Sequence, residues 1–305
     1  MSFLLFVLFV VNTAWGKRID AREAVAIGGI KQWMTFQGED DQAPVLLFLH
    51  GGPGNSVMSY ADKFTGELKK HFIVVHWDQR ESGKTLALNK SPTPLTVSLF
   101  VSDAIAVINF LSTRFRQEKI FVMGHSWGGY LALHVAKAIP DKIKGLFAMN
   151  AMIHQIESER LTLQFLRDTA NRQQNRGAME DLGRVEVPFQ NSEQLYLHRM
   201  WLSKLMGTAS PARGRVDGWS KTWLALFNEG SQTDFFTFAP ELKCPVYFLV
   251  GSRDYQTYFK LAESYYQQVV CPEKKLYWFT QSAHNPHLTE TEKFQEVVIS
   301  IKKKH

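Results

Sequence analysis

Three short stretches hold the residue types from which an acyl-transfer site can be built. Gly124-His125-Ser126-Trp127-Gly128, inside "VMGHSWGGYLAL", fits the pattern G-x-S-x-G between a strand-like run and a helix-like run. That setting puts the serine on a tight strand-to-helix turn, with its hydroxyl presented at the end of a sheet. The turn needs small residues two before and two after the serine, and Gly124, Gly128 and Gly129 meet that need. A serine hydroxyl is a poor nucleophile until a base takes its proton, so a histidine and an orienting carboxylate must follow. On such a scaffold they come in the order serine, acid, histidine, at the ends of later strands. "VYFLVGSRDYQT" offers Asp254 and "LYWFTQSAHNPH" offers His284, with His287 the more distant alternative. The competing readings are a helix cap for Asp254 and a metal pair for His284 and His287. The metal reading lacks a further ligand cluster, so no metal is expected.

Acyl transfer also needs donors for the tetrahedral oxyanion. One is expected from the amide of Trp127 and the other from Gly51 or Gly52 in "LHGGPGNS", whose glycines let the backbone approach a substrate. A third stretch, "VVHWDQRESGKTL", ends like a phosphate-binding loop. The position where that loop needs its first glycine is Asp78, a carboxylate that would repel phosphate, so nucleotide binding is set aside.

The elements that must hold these residues alternate. Apolar runs at 44–50, 71–77, 119–125, 143–150, 244–251 and 274–280 read as strands buried on both faces. Helical patterns fall between several of them, at 96–114, 128–139, 257–269 and 290–303. A hairpin over 24–38 turns at Gly28-Gly29. The class is therefore α/β: a mostly parallel sheet with helices on both faces. The rhythm breaks over 152–240, which is charged, tryptophan-containing and amphipathic, and reads as a helical cap inserted into a core of 17–151 and 241–305. Within 305 residues, 45% apolar content supports a buried core, and a net charge of +6 with no basic run beyond the "KKKH" tail gives no footprint for nucleic acid. "FLLFVLFVV" is too short to cross a bilayer and suits a secretory leader over 1–16, cut after Gly16, although no Lys or Arg precedes it. A secreted or periplasmic protein without a stable membrane anchor follows if that leader is used, and a cytoplasmic one otherwise. Cys244 and Cys271 both stand just ahead of strand-like runs; two buried free thiols is the preferred reading, with a disulfide the alternative.

"HGGPGNS" at 50–56, "DQRESGKT" at 78–85 and "GHSWGG" at 124–129 together resemble the proline iminopeptidases, and the likeness extends over most of the chain after residue 24. The resemblance implies an α/β-hydrolase fold and a serine aminopeptidase that removes N-terminal proline from short peptides without a cofactor. It implies structural roles for Asp78 and Arg80, and recognition of the substrate's free amine by cap glutamates. Glu157, Glu159, Glu193 and Glu229 are available, with Glu159 preferred. Trp201, Trp219 and Trp223 are candidates to wall an apolar pocket. Two departures stand out: His125 occupies a position that is small in the family, and Glu81 one that is glycine. An esterase for small acyl esters is the alternative activity, and a non-catalytic ligand receptor on the same scaffold the third. Haloalkane dehalogenases and epoxide hydrolases share the fold but use an aspartate nucleophile, which Ser126 argues against.

Overall fold

A computed structural model describes residues 16–304. Eight strands form one sheet: β1 (Ile19–Ile27), β2 (Ile30–Gly38), β3 (Val45–Leu49), β4 (Ile73–Trp77), β5 (Ile120–His125), β6 (Ile143–Met149), β7 (Val246–Gly251) and β8 (Lys274–Phe279). Their spatial order is β1-β2-β4-β3-β5-β6-β7-β8. β1–β2 and β2–β4 are antiparallel, and every pair from β4–β3 onward is parallel. The hairpin turns at Gly28-Gly29, both at positive φ (55° and 80°), a backbone that glycine adopts without a side-chain clash. The expected leader over residues 1–16 lies outside the described residues, except for Gly16.

The continuous apolar strands are explained by what covers them. On β3, Leu47 and Leu49 face one core with α1 (Val97–Arg114) and α2 (Trp127–Ala138), while Leu46 and Phe48 face a second core. A strand packed on both sides has no polar face to show, which is why its pattern does not alternate. Between β6 and β7 the chain forms α3 (Gln155–Arg172), α4 (Arg176–Gly183), α5 (Ser192–Met206) and α6 (Arg213–Ser231). α7 (Phe259–Gln268) joins β7 to β8, and α8 (Thr291–Lys302) closes the chain with Phe294, Val298 and Ile301 in the second core. The helices between β6 and β7 rest on loops leaving the carboxyl ends of the strands: the Trp219 indole donates to Pro53 O at 2.8 Å, and Gln155 Nε2 to Gln256 O at 2.8 Å. Carboxyl ends of parallel strands are where such sheets carry their sites. Cys244 and Cys271 are both free thiols. Burial, followed by the proximity of Cys271, pushes the Cys244 thiol up to about 12.

Candidate active site

Ser126 is the single residue between the end of β5 and the start of α2. Its backbone sits at φ 56°, ψ −117°, a strained conformation for a residue with a side chain. The surroundings enforce it. A Cβ on Gly124 would stand 2.1 Å from Gly128 O, and one on Gly128 would stand 1.9 Å from Leu49 O, so strand and helix meet only because both positions lack side chains. The Ser126 amide donates to Met149 O at 3.0 Å, pinning the turn to the end of β6. As the first residue of α2, Trp127 presents one of the amides that have no carbonyl within the helix, at the positive end of its dipole. The loop after β3 runs close beside the serine: a Cβ on Gly51 would lie 3.2 Å from Ser126 Cβ.

Asp254 and His284 meet at the ends of β7 and β8. His284 Nδ1 donates to Asp254 Oδ2 at 2.8 Å, which leaves Nε2 as the ring's lone-pair nitrogen. The carboxylate is fully buried and also accepts from the amides of Gln256 (2.8 Å) and Thr257 (3.2 Å), with the Thr257 hydroxyl 2.7 Å away. Burial pushes this carboxyl up, but the electrostatic pull of the His284 ring and the hydrogen bonds from His284 and Thr257 outweigh it and hold Asp254 below the usual carboxylate range. Asp254 thus caps its own loop and orients the imidazole at once. Among the described residues no hydrogen bond joins the Ser126 hydroxyl to the His284 ring; contacts of this kind commonly close only when substrate is bound.

The strands also place a second imidazole where the resemblance implies a small side chain. His125 Nε2 donates to His284 O at 2.7 Å, and its ring centroid lies 4.8 Å from those of both His284 and His287. Burial, with His284 a lesser cause, lowers His125 to about 3, so it is neutral at any ordinary pH. His287 makes no hydrogen bond to Asp254; its ring is buried at 4.7 Å from Phe64, and burial followed by His125 and His284 holds it uncharged.

The Asp-Gln-Arg segment clamps the serine's neighbours. Gln79 donates through Nε2 to His50 O (3.0 Å) and accepts from the Trp127 indole (3.1 Å), so one buried amide ties the β3 loop to the start of α2. Asp78 accepts from the Ser56 hydroxyl in that loop and from the Lys84 amide (2.8 Å), so its carboxylate takes the amide donor that a phosphate would need. Arg80 is buried and grips Asp103 through Nε (2.7 Å) and Nη2 (2.9 Å), with Nη2 also on Gly28 O (2.7 Å), joining the hairpin to α1.

Beside the loop after β3 lies a cavity of about 190 Å³ whose wall includes Gly52, Arg199, Arg215, Trp219, Phe227 and Gln256. Trp219 is the tryptophan that walls it. Trp223 is buried against Gly54 and Phe100, and Trp201 donates to Asp181 at 3.0 Å elsewhere among the helices. Among the described residues no Asp or Glu lines the cavity, so none of the four candidate glutamates does. Glu159 is buried, with its oxygens taken by Arg199 (2.7 Å to Oε2, and a second bond to Oε1) and by Gln155 (2.7 Å). Burial pushes the Glu159 carboxyl up, but the Arg199 guanidinium holds it down, ionised and spoken for. Glu193 pairs with Arg184, Glu229 accepts from the Val97 amide, and Glu157 lies 3.7 Å from Arg160. Gln79, the His125–His284 bond and the Arg199–Glu159 pair went unassigned from sequence. Gln79 stood inside the quoted Asp-Gln-Arg segment, whereas the other two join residues 159 and 40 positions apart and left no local signal.

The chain belongs to the α/β hydrolase fold family, whose profile matches residues 44–291. It is similar to a probable aminopeptidase, YbaC, of Bacillus subtilis: 29% identical over 301 residues, covering 91% of this chain and 95% of that one. A proline iminopeptidase of Heyndrickxia coagulans is 23% identical over 284 residues, covering 89% and 94%. The crystal structure of a proline iminopeptidase from Mycobacterium smegmatis superposes with a TM-score of 0.65 at 20% identity, covering 93% of this chain and 98% of that one, a likeness of fold. Fold and relatives together support an enzyme of the hydrolase class.

Proposed function

We propose that this protein is a serine hydrolase that forms an acyl-enzyme on Ser126 and releases an N-terminal residue, proline or another small one, from short peptides. The observation that carries the reading is a strained, loop-flanked Ser126 on the same sheet edge as a buried Asp254 bonded at 2.8 Å to His284. His284 Nε2 takes the serine proton as Oγ attacks the substrate carbonyl, and the amides of Trp127 and of Gly51 or Gly52 hold the oxyanion. Collapse breaks the scissile bond, and His284 returns the proton to the leaving amine. Water, activated by the same imidazole, then frees the acyl group. The names of the similar proteins support the aminopeptidase form.

A second reading, hydrolysis of small esters by the same residues, is favoured by one feature: among the described residues no free carboxylate faces the cavity to receive an amine. Turnover of proline anilide, alanine anilide and a butyrate ester by the protein and its Ser126→Ala variant separates the two. Hydrolysis of the ester alone removes the peptidase, and an unchanged rate in the variant removes the serine. Absence of labelling by a fluorophosphonate would revive a non-catalytic receptor. Export, with removal of residues 1–16, remains part of the proposal, and intact-mass analysis of the protein from its native cell checks it.

A further inference from the structure

We infer that the cavity beside the β3 loop is a carboxylate-binding subsite, with Arg215 as the residue that receives the anionic end of the substrate. This rests on the acyl-transfer reading and adds the substrate's charge to it. The cavity wall carries two arginines and no acid, but the arginines are not equivalent. Arg199 is neutralised: both its terminal nitrogens serve Glu159, and Nη1 also reaches His198 Nδ1 at 2.8 Å. Arg215 is exposed, near the start of α6, and its guanidinium has no hydrogen bond or ion pair among the described residues. Its nearest acid in sequence, Asp217, is taken by Arg213 at 3.1 Å.

The local balance is therefore one uncompensated positive charge on a wall that has Trp219, Phe227, Val216 and Leu195 as its apolar part and Asn55 and Gln256 as uncharged polar groups. Apolar walls raise the weight of that charge by keeping water from one side of it. An ammonium entering here meets the unpaired Arg215 guanidinium and no carboxylate free to receive it. A carboxylate meets a planar fork able to donate two parallel hydrogen bonds. Gly52 belongs both to this wall and to the loop that passes Ser126, so an anionic group in the cavity sits within a small molecule's length of the serine. The shared ligand chemistry is a small acyl compound bearing a carboxylate. It has two sources: the C-terminus of a dipeptide, or the free acid of a dicarboxylic half-ester.

The test compares matched pairs: Pro-Leu against Pro-Leu-amide, and 4-nitrophenyl hydrogen glutarate against 4-nitrophenyl pentanoate. The readout is the ratio of kcat/KM within each pair in the full chain, its Arg215→Ala and Arg215→Glu variants, and Arg172→Ala as a charge control. At low salt the carboxylate-bearing member of at least one pair is expected to lose about tenfold relative to its partner in Arg215→Ala, chiefly through KM, and more in Arg215→Glu. The ratio should hold in Arg172→Ala, and the pair that responds identifies the source. Equal ratios in all four proteins, or an equal fall in Arg172→Ala, overturn the inference while leaving acyl transfer intact. If no substrate of either kind turns over, the acyl-transfer reading has failed instead. Calorimetric binding of Pro-Leu and of its amide to Ser126→Ala then decides the subsite without turnover: a preference for the acid that vanishes when Arg215→Ala is added sustains it, and equal binding overturns it.

Discussion

Replacing His125 by phenylalanine would keep a ring between His284 and His287 but remove the Nε2–H that donates to His284 O at 2.7 Å. The carbonyl left behind is on a residue only 9% exposed, and an unpaired buried acceptor costs about 1–3 kcal/mol. For a chain of this size that is a fall in Tm of about 1.5–5 °C. The larger effect falls on rate. The loop carrying the proposed base is held to the neighbouring strands by His125 and by Asn150, whose Nδ2 donates to Ala283 O at 2.9 Å. Losing the His125 anchor loosens the backbone at His284 even though the Asp254 bond to its ring remains, and a displacement of about 1 Å at a reacting group can cost on the order of 10² in rate. His125→Gln, whose amide can still donate to the same carbonyl, should recover most of both losses. Because burial lowers His125 to about 3, its removal should scale the pH profile of kcat/KM down without moving its midpoint between pH 5.5 and 8.5. Denaturant unfolding and a pH series on the two variants make the check. The reasoning fails if His125→Phe keeps wild-type stability and turns over within twofold of the parent. A shifted midpoint in His125→Phe would refute the neutral-ring premise.

Ser126→Gly should unfold later than Ser126→Ala by about 1 kcal/mol in a thermal or denaturant scan, because φ 56° is strained for alanine and open to glycine. Asp254→Asn is expected to lower kcat by about 10⁴ with KM little changed, since an amide in that place favours the wrong imidazole tautomer; a loss under tenfold would count against the Asp254–His284 pair as the orienting contact. Acid should destabilise the fold through His76, whose ring is buried between Phe48 and Phe64 with neither nitrogen hydrogen-bonded. Burial, then Lys69, lowers it to about 3 in the folded chain against 6.5 unfolded, so its contribution is complete above pH 6.5 and is lost as pH falls toward 3. At pH 5 the loss is about 2 kcal/mol, and His76→Phe should lose that much less than wild type between pH 7.5 and 5. Arg199→Ala leaves Glu159 buried without its cation and should cost about 3–5 kcal/mol, with Arg199→Ala/Glu159→Gln recovering part of it in the same unfolding assay.

How legible these features were in the sequence follows from how local their causes are. Trp127–Ala138 and Val97–Arg114 fall within one or two residues of the expected helices, and β3 and β5 carry runs that only a doubly covered strand needs. The serine turn is legible because its residues lie within one five-residue pattern: Gly124 is dictated by Gly128 O inside that pattern, although Gly128 is dictated by Leu49 O on the neighbouring strand. Asp254 and His284 are legible for a related reason, because topology delivers strand ends to one edge and chain order then names the partners. The substrate end has no such rule. Whether a cap glutamate is free depends on which arginine the packing of α3 against α5 brings to it, and here Arg199 reaches Glu159 from 40 residues away. A buried carboxylate cannot stay ionised without such a partner, so the fold that hides Glu159 must also occupy it. The same packing that removes this acid from the cavity leaves Arg215 on its wall unopposed. The proposed reaction chemistry and the proposed substrate charge thus rest on residues brought together at different ranges along the chain, so a variant that alters the second need not disturb the first.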